Sequence, residues 1–230
     1  MQNIDMVIAV IAATGGLGLA AMSLVDAFKA VPGGGVSRIG FRHIRDVAVL
    51  FDKVLERAVG AQWETVILSH WINGRARSDQ IGIVRSLLRL GLNPDTSDQL
   101  AAIGNVDPKA LSSAAGKLVK GASMTEAEVN LIGRVEAAVE ARLDAAFDLA
   151  EQAYRNQARI LAGVIAVVLA VIASLLMEAR PAISGLEWLD TRLLLGVLVG
   201  LLAVPIAPIA KDLVSALTVA ASAVKSTRRA

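Results

Sequence analysis

Three stretches of the chain, Met6–Val25, Ile160–Met177 and Leu193–Ala210, each run 18 to 20 residues without a charged side chain. An α-helix rises ~1.5 Å per residue, so about 20 apolar residues cross the ~30 Å hydrocarbon core of a bilayer. The pattern therefore predicts an all-α integral membrane protein with three transmembrane helices. Between the first and second stretches the apolar residues recur at helical spacing instead of running on. Phe41, Ile44, Val47, Phe51, Val54 and Leu55 form one stripe over 38–58, and Ile81, Val84, Leu87 and Leu88 form another. The expected organisation is a first span over 1–29, a helical cytoplasmic domain over 30–124, and a stalk helix continuing into the second span over 125–179. A short external loop over 180–191 and a third span with a cytoplasmic extension over 192–230 complete it.

Local signals set the boundaries. Pro32 followed by Gly33, Gly34 and Gly35 stops the first helix and gives a hinge. Ser37 and Ser78 are candidate caps, and a short helix around Trp63, Ile67, His70 and Trp71 closes at Asn73-Gly74. Gly91 and Asn93-Pro94 end the next. Two short helices are expected near 97–103 and 108–120, the second with Asp107 as cap and Pro108 at the first helical position. Thr125-Glu-Ala-Glu128 is a capping box ahead of a run without proline until Pro181, which predicts one continuous stalk-and-span helix. Its apolar residues Val135, Val139, Leu143, Phe147, Ala150 and Tyr154 are spaced mostly by four, the spacing of a helix packed on neighbours and not of a heptad coiled coil.

Charge supplies the orientation. Eleven basic residues (Lys29, Arg38, Arg42, Arg45, Arg142, Arg155, Arg159, Lys211, Lys225, Arg228 and Arg229) flank the spans on one side, against Arg180 and Arg192 in the short loop. By the positive-inside rule the N-terminus is outside and the large loop and C-terminus are cytoplasmic. The location expected is a bacterial inner membrane. Met1–Asp5 has no basic residue, so the first stretch reads as a retained span and not a cleaved signal. The net charge of +2 gives no reason to expect nucleic acid. The absence of cysteine excludes disulfides, thiolate metal sites and cysteine catalysis.

Gly196 and Gly200 form a GxxxG motif inside the third stretch. Similar small-residue stripes stand at Ala12, Gly16 and Ala20 in the first and at Ala162, Ala166 and Ala170 in the second. They predict close helix packing, within one chain or between copies. Residues 29–89 carry ten basic and five acidic side chains, whereas 121–151 carry two and seven. These regions can pair internally. Alternatively, Arg38, Arg42 and Arg45 can touch anionic lipid headgroups, or Arg75, Arg77, Arg85 and Arg89, the last two on one helix face, can form a partner-binding patch. His43 and His70 lie far apart and read as structural; no cofactor or metal is expected. No phosphate loop, nucleophile elbow or metallohydrolase motif is present.

The layout, with three spans, a large loop after the first and long second and third helices, resembles that of the ExbB/TolQ/MotA stator proteins. The resemblance is one of topology. Those proteins carry threonine-type positions in their channel-facing helices, and Ile160–Met177 and Leu193–Ala210 contain no threonine, so no functional residue carries over. The function expected is a non-enzymatic membrane-anchored scaffold or assembly subunit, with lipids and further subunits or copies of itself as partners. The alternative is an oligomeric pore or ion-conducting subunit.

Overall fold

The computed structural model describes residues 2–28, 35–176 and 191–227. These residues form nine α-helices and one 3-10 turn, with no strand among them: α1 (Gln2–Ala27), α2 (Ser37–Ala48), the 3-10 turn Val49–Phe51, α3 (Asp52–Val59), α4 (Trp63–Ile72), α5 (Arg77–Gly91), α6 (Ser97–Gly104), α7 (Pro108–Lys120), α8 (Glu126–Leu176) and α9 (Thr191–Thr227). Three helices, α1, α8 and α9, contain segments long and apolar enough to cross a membrane. The chain divides into two compact units, Met1–Val31 with Asn156–Ala230, and Pro32–Arg155. The helix α8 contributes to both. Residues 180–190 of the expected loop 180–191 lie outside the described residues, and Thr191 begins α9; the side chains of most of the extension after Asp212 also lie outside them.

The second unit folds around a conventional hydrophobic core. Phe51, Phe147, Ile44, Leu55, Leu100, Leu111, Leu143 and Val139 are fully buried in it. The first half of α8 supplies Ile132, Val135, Val139, Leu143, Phe147 and Ala150 to this core, so the residues expected to form a stalk are one wall of the unit. At its start Glu128 accepts from Thr125 N at 2.8 Å and Glu128 N donates to Thr125 Oγ1 at 3.3 Å, which is the reciprocal capping box. Asp107 accepts from Lys109 N and Ala110 N at the head of α7.

Two local expectations are corrected. Ser37 lies inside α2, with Val36 at the cap position, and α5 begins at Arg77, ahead of Ser78; neither serine caps. The stripe over 38–58 is not one helix. It breaks at Phe51, whose φ of −136° and ψ of 33° leave the helical region. The amide of Lys53 is taken by Asp52 Oδ1 at 2.7 Å and Gln99 Oε1 at 3.2 Å, and Gln99 Nε2 donates to Asp52 Oδ1 at 2.8 Å. A side chain 46 residues away thus satisfies the donor freed by the break.

Candidate functional site

Within the first unit, small residues let helices approach closely. Ala162, Ala166 and Ala170 of α8 and Ala203, Ala207 and Ala210 of α9 are all buried. A methyl group on Gly200 would run into the backbone Cα of Val167 and press on Val167 N at 2.8 Å and Ala166 O at 3.0 Å, whereas one on Gly196 would meet Ala170 O at 3.5 Å and Ser174 Cβ at 3.6 Å, which is ordinary contact. The structure thus brings Ala166, Ala170, Gly196 and Gly200 together, with the tightest approach at Gly200. Gly16 and Ala20 are placed elsewhere. Both are exposed, and a methyl on Gly16 would meet nothing within 4 Å. The face of α1 that is buried is Thr14, Gly15, Gly18, Ala21 and Val25, one residue round from the expected stripe. A Cβ on Gly15 would run into Ala210 and one on Gly18 into the Ala203 carbonyl. The signal for this face was the spacing of Gly15, Gly18, Ala21 and Val25 by three, three and four, which competes on the same helix with the stripe of fours.

The order of contacts also fixes direction. As α1 runs from Gly15 to Gly18, its partners on α9 fall from Ala210 to Ala203, so the two helices are antiparallel. Gly196 beside Ala170 and Gly200 beside Ala166 make α8 and α9 antiparallel as well. An N-terminus outside and a C-terminus inside would have α1 and α9 crossing in the same direction. The packing of α1 runs against that expectation.

In the second unit, α5 and α8 are joined by a row of ion pairs. Glu136, Glu140, Asp144 and Asp148 stand four apart on α8 and so lie along one side of it. Arg89 reaches Glu136, with Nη2 at 2.9 Å from Oε2. Arg85 spans Glu136 at 3.4 Å and Glu140 at 3.3 Å, and Arg77 holds both Asp144 and Asp148. Glu136 is the buried member, its side chain 8% exposed. The hydrogen bond from Arg89, and then its charge with help from Arg85, hold the Glu136 carboxyl below its ordinary 4.5, overcoming the opposing effect of burial. The same hydrogen bond raises Arg89. Arg85 and Arg89, candidates for a partner contact, are placed in this internal row.

Arg38, Arg42 and Arg45 are placed differently. Burial of Ser37, Gly40, Phe41, Ile44 and Ala48 fixes which side of α2 faces the core. Gly40 permits the approach, since a Cβ there would sit 2.6 Å from Ala150 O and 2.9 Å from the Trp71 ring. Trp71 Nε1 donates to Ser37 O at 2.9 Å, and the Trp71 ring lies 6.0 Å from Phe147. All three arginines consequently face outward. Arg45 meets Glu64 at 3.1 Å; Arg38 and Arg42 have no carboxylate partner among the described residues. Exposed Ile39, Val49 and Leu50 lie among them. Sequence reasoning missed these three because it read 38–58 for its apolar core stripe and not for the apolar residues on its outer side; Val49 and Leu50 fall in the turn Val49–Phe51.

His70 has a buried Nδ1 without a hydrogen-bond partner. No group of three or more His, Cys, Asp or Glu side chains that could hold a metal occurs among the described residues. Compared with protein-family models, curated proteins and solved structures, the chain matches none.

Proposed function

We propose that the chain is a non-enzymatic, membrane-anchored scaffold or assembly subunit of a complex in a bacterial inner membrane, with the second unit and the C-terminus in the cytoplasm. The observation that carries this reading is α8. A single helix of 51 residues supplies both an apolar run of membrane-spanning length and the wall on which the second unit's core is built. Most of the ion pairs of that unit run as a row along α5 and α8, an arrangement suited to holding a shape.

In this reading the direction of α1 follows from connectivity. Residues 32–155 form one unit, so the helices leading into and out of it meet a bilayer on the same side. A crossing α1 then runs opposite to α8 and parallel to α9, with the N-terminus outside. On this reading α1 crosses the bilayer parallel to α9, the reverse of the direction in which it packs on α9 here.

Extraction from membranes in mild detergent, followed by mass measurement of the intact assembly, tests the function. The expected result is a defined complex larger than the 24.0 kDa chain. A monodisperse single chain with no co-purifying subunit would overturn it. A second reading, an oligomeric pore, draws on Pro205 and Pro208 inside α9. Each lacks an N–H, which frees a carbonyl one turn earlier, at Leu201 and Val204, to line a path.

A further inference from the structure

We propose that the outward face of α2 docks on an anionic bilayer surface, with Arg38 and Arg42 on lipid headgroups and Ile39, Val49 and Leu50 entering the interface. Arg38, Arg42, Arg45 and Val49 stand at i, i+4, i+7 and i+11, one side of a helix, and the opposite side is fixed in the core. The arginines of α5 show what matched charges look like in this protein: Arg77, Arg85 and Arg89 each hold a carboxylate of α8. On α2 only Arg45 is matched, by Glu64. Asp46 is the acidic residue on the exposed side, too little to make the face self-complementary for a second copy. Ile39, Val49 and Leu50 are 40%, 43% and 45% exposed, apolar side chains next to unmatched cations, the combination an anionic interface accepts. The apolar face of α2 is spent on the core, so docking is shallow and electrostatic. The face begins ten residues after the end of α1, and ten residues extend at most ~35 Å, which keeps it within reach of a membrane holding α1.

The inference rests on α1 crossing a bilayer with its C-terminal end toward the second unit, and not on the scaffold role. A chain that proves monomeric would leave it standing. The full chain, which has no native cysteine, is reconstituted at one copy per nanodisc with Leu50→Cys carrying a fluorophore. Quenching by nitroxide-labelled lipid is compared between phosphatidylcholine and discs with 30% phosphatidylserine. Quenching is expected to be severalfold stronger in the anionic discs and to fall in 0.5 M salt, where screening shortens the reach of exposed charges. Each basic residue near such a surface is worth about 5-fold in occupancy, so Arg38→Gln with Arg42→Gln should lower the docked-to-free ratio roughly 25-fold. Equal quenching in the two lipids, or quenching indifferent to salt and to the arginine substitutions, overturns the proposal. Shielding of the label that needs two copies per disc also overturns it and assigns the face to self-association.

Discussion

Gly200 and Gly196 offer a matched pair of perturbations in one helix. An alanine at either position gains about 1 kcal/mol of helix propensity over glycine, so that contribution cancels between the two variants. What remains is the difference in space. At Gly200 the new methyl would run into the backbone Cα of Val167 and lie 2.8 Å from Val167 N and 3.0 Å from Ala166 O, well inside the ordinary 3.5–4.0 Å; at Gly196 the nearest atoms are at 3.5 and 3.6 Å. Relieving the clash requires α8 and α9 to part by roughly 1 Å or more near Val167, and a gap of even 0.5–1 Å forfeits a quarter to a half of each dispersion contact it opens. Overfilled sites of this kind typically cost 1–3 kcal/mol. Gly200→Ala is therefore expected to be less stable than Gly196→Ala by about 1–3 kcal/mol. Reversible denaturant titration of the purified protein in micelles, followed by circular dichroism, measures this. Two variants within ~0.5 kcal/mol of each other would refute the contact at Gly200.

Glu136→Gln should destabilise the protein at neutral pH by about 1–2 kcal/mol, the range for a hydrogen bond to a charged group reduced for partially exposed arginine partners. Because the folded carboxyl titrates below 4.5, its contribution is present above pH 4.5 and disappears as the pH falls through the folded value, so wild type and variant should converge in acid. A deficit unchanged between pH 7 and pH 3 would show that packing and not charge is responsible. Liposomes bearing the purified protein should hold a proton or potassium gradient. A protein-dependent leak that Ser174→Leu abolishes would place the pore reading ahead of the scaffold.

Features carried by short-range chemistry were legible in the sequence. The apolar lengths gave α1, α8 and α9, Asp107-Pro108 gave the start of α7, and the capping box gave the start of α8. The opposite charges of the two regions were also visible, and with them the possibility that Arg85 and Arg89 pair internally. What was not legible depends on contacts distant in sequence. The amide freed by the break at Phe51 is taken up in part by Gln99, 46 residues further along the chain. The packing face of α1 turns on a choice between two stripes of small residues one position apart, and only the partner helix distinguishes them. Gly91 looked like a helix stop, yet it is also the point where α5 presses on the Val54 carbonyl, which a Cβ would strike. The serines at 37 and 78 misled because capping residues are common near helix starts without always occupying the cap itself.

The central claim is that the second unit is anchored in the cytoplasm by apolar helices that cross the membrane. Topology reporters fused at the C-terminus after Ala230 and inserted in the connection at residues 93–95 test it most directly, with a third at the N-terminus to record the direction of α1. The account predicts cytoplasmic signals at the first two positions and an external signal at the third. An external signal at the C-terminus or within the second unit would contradict it.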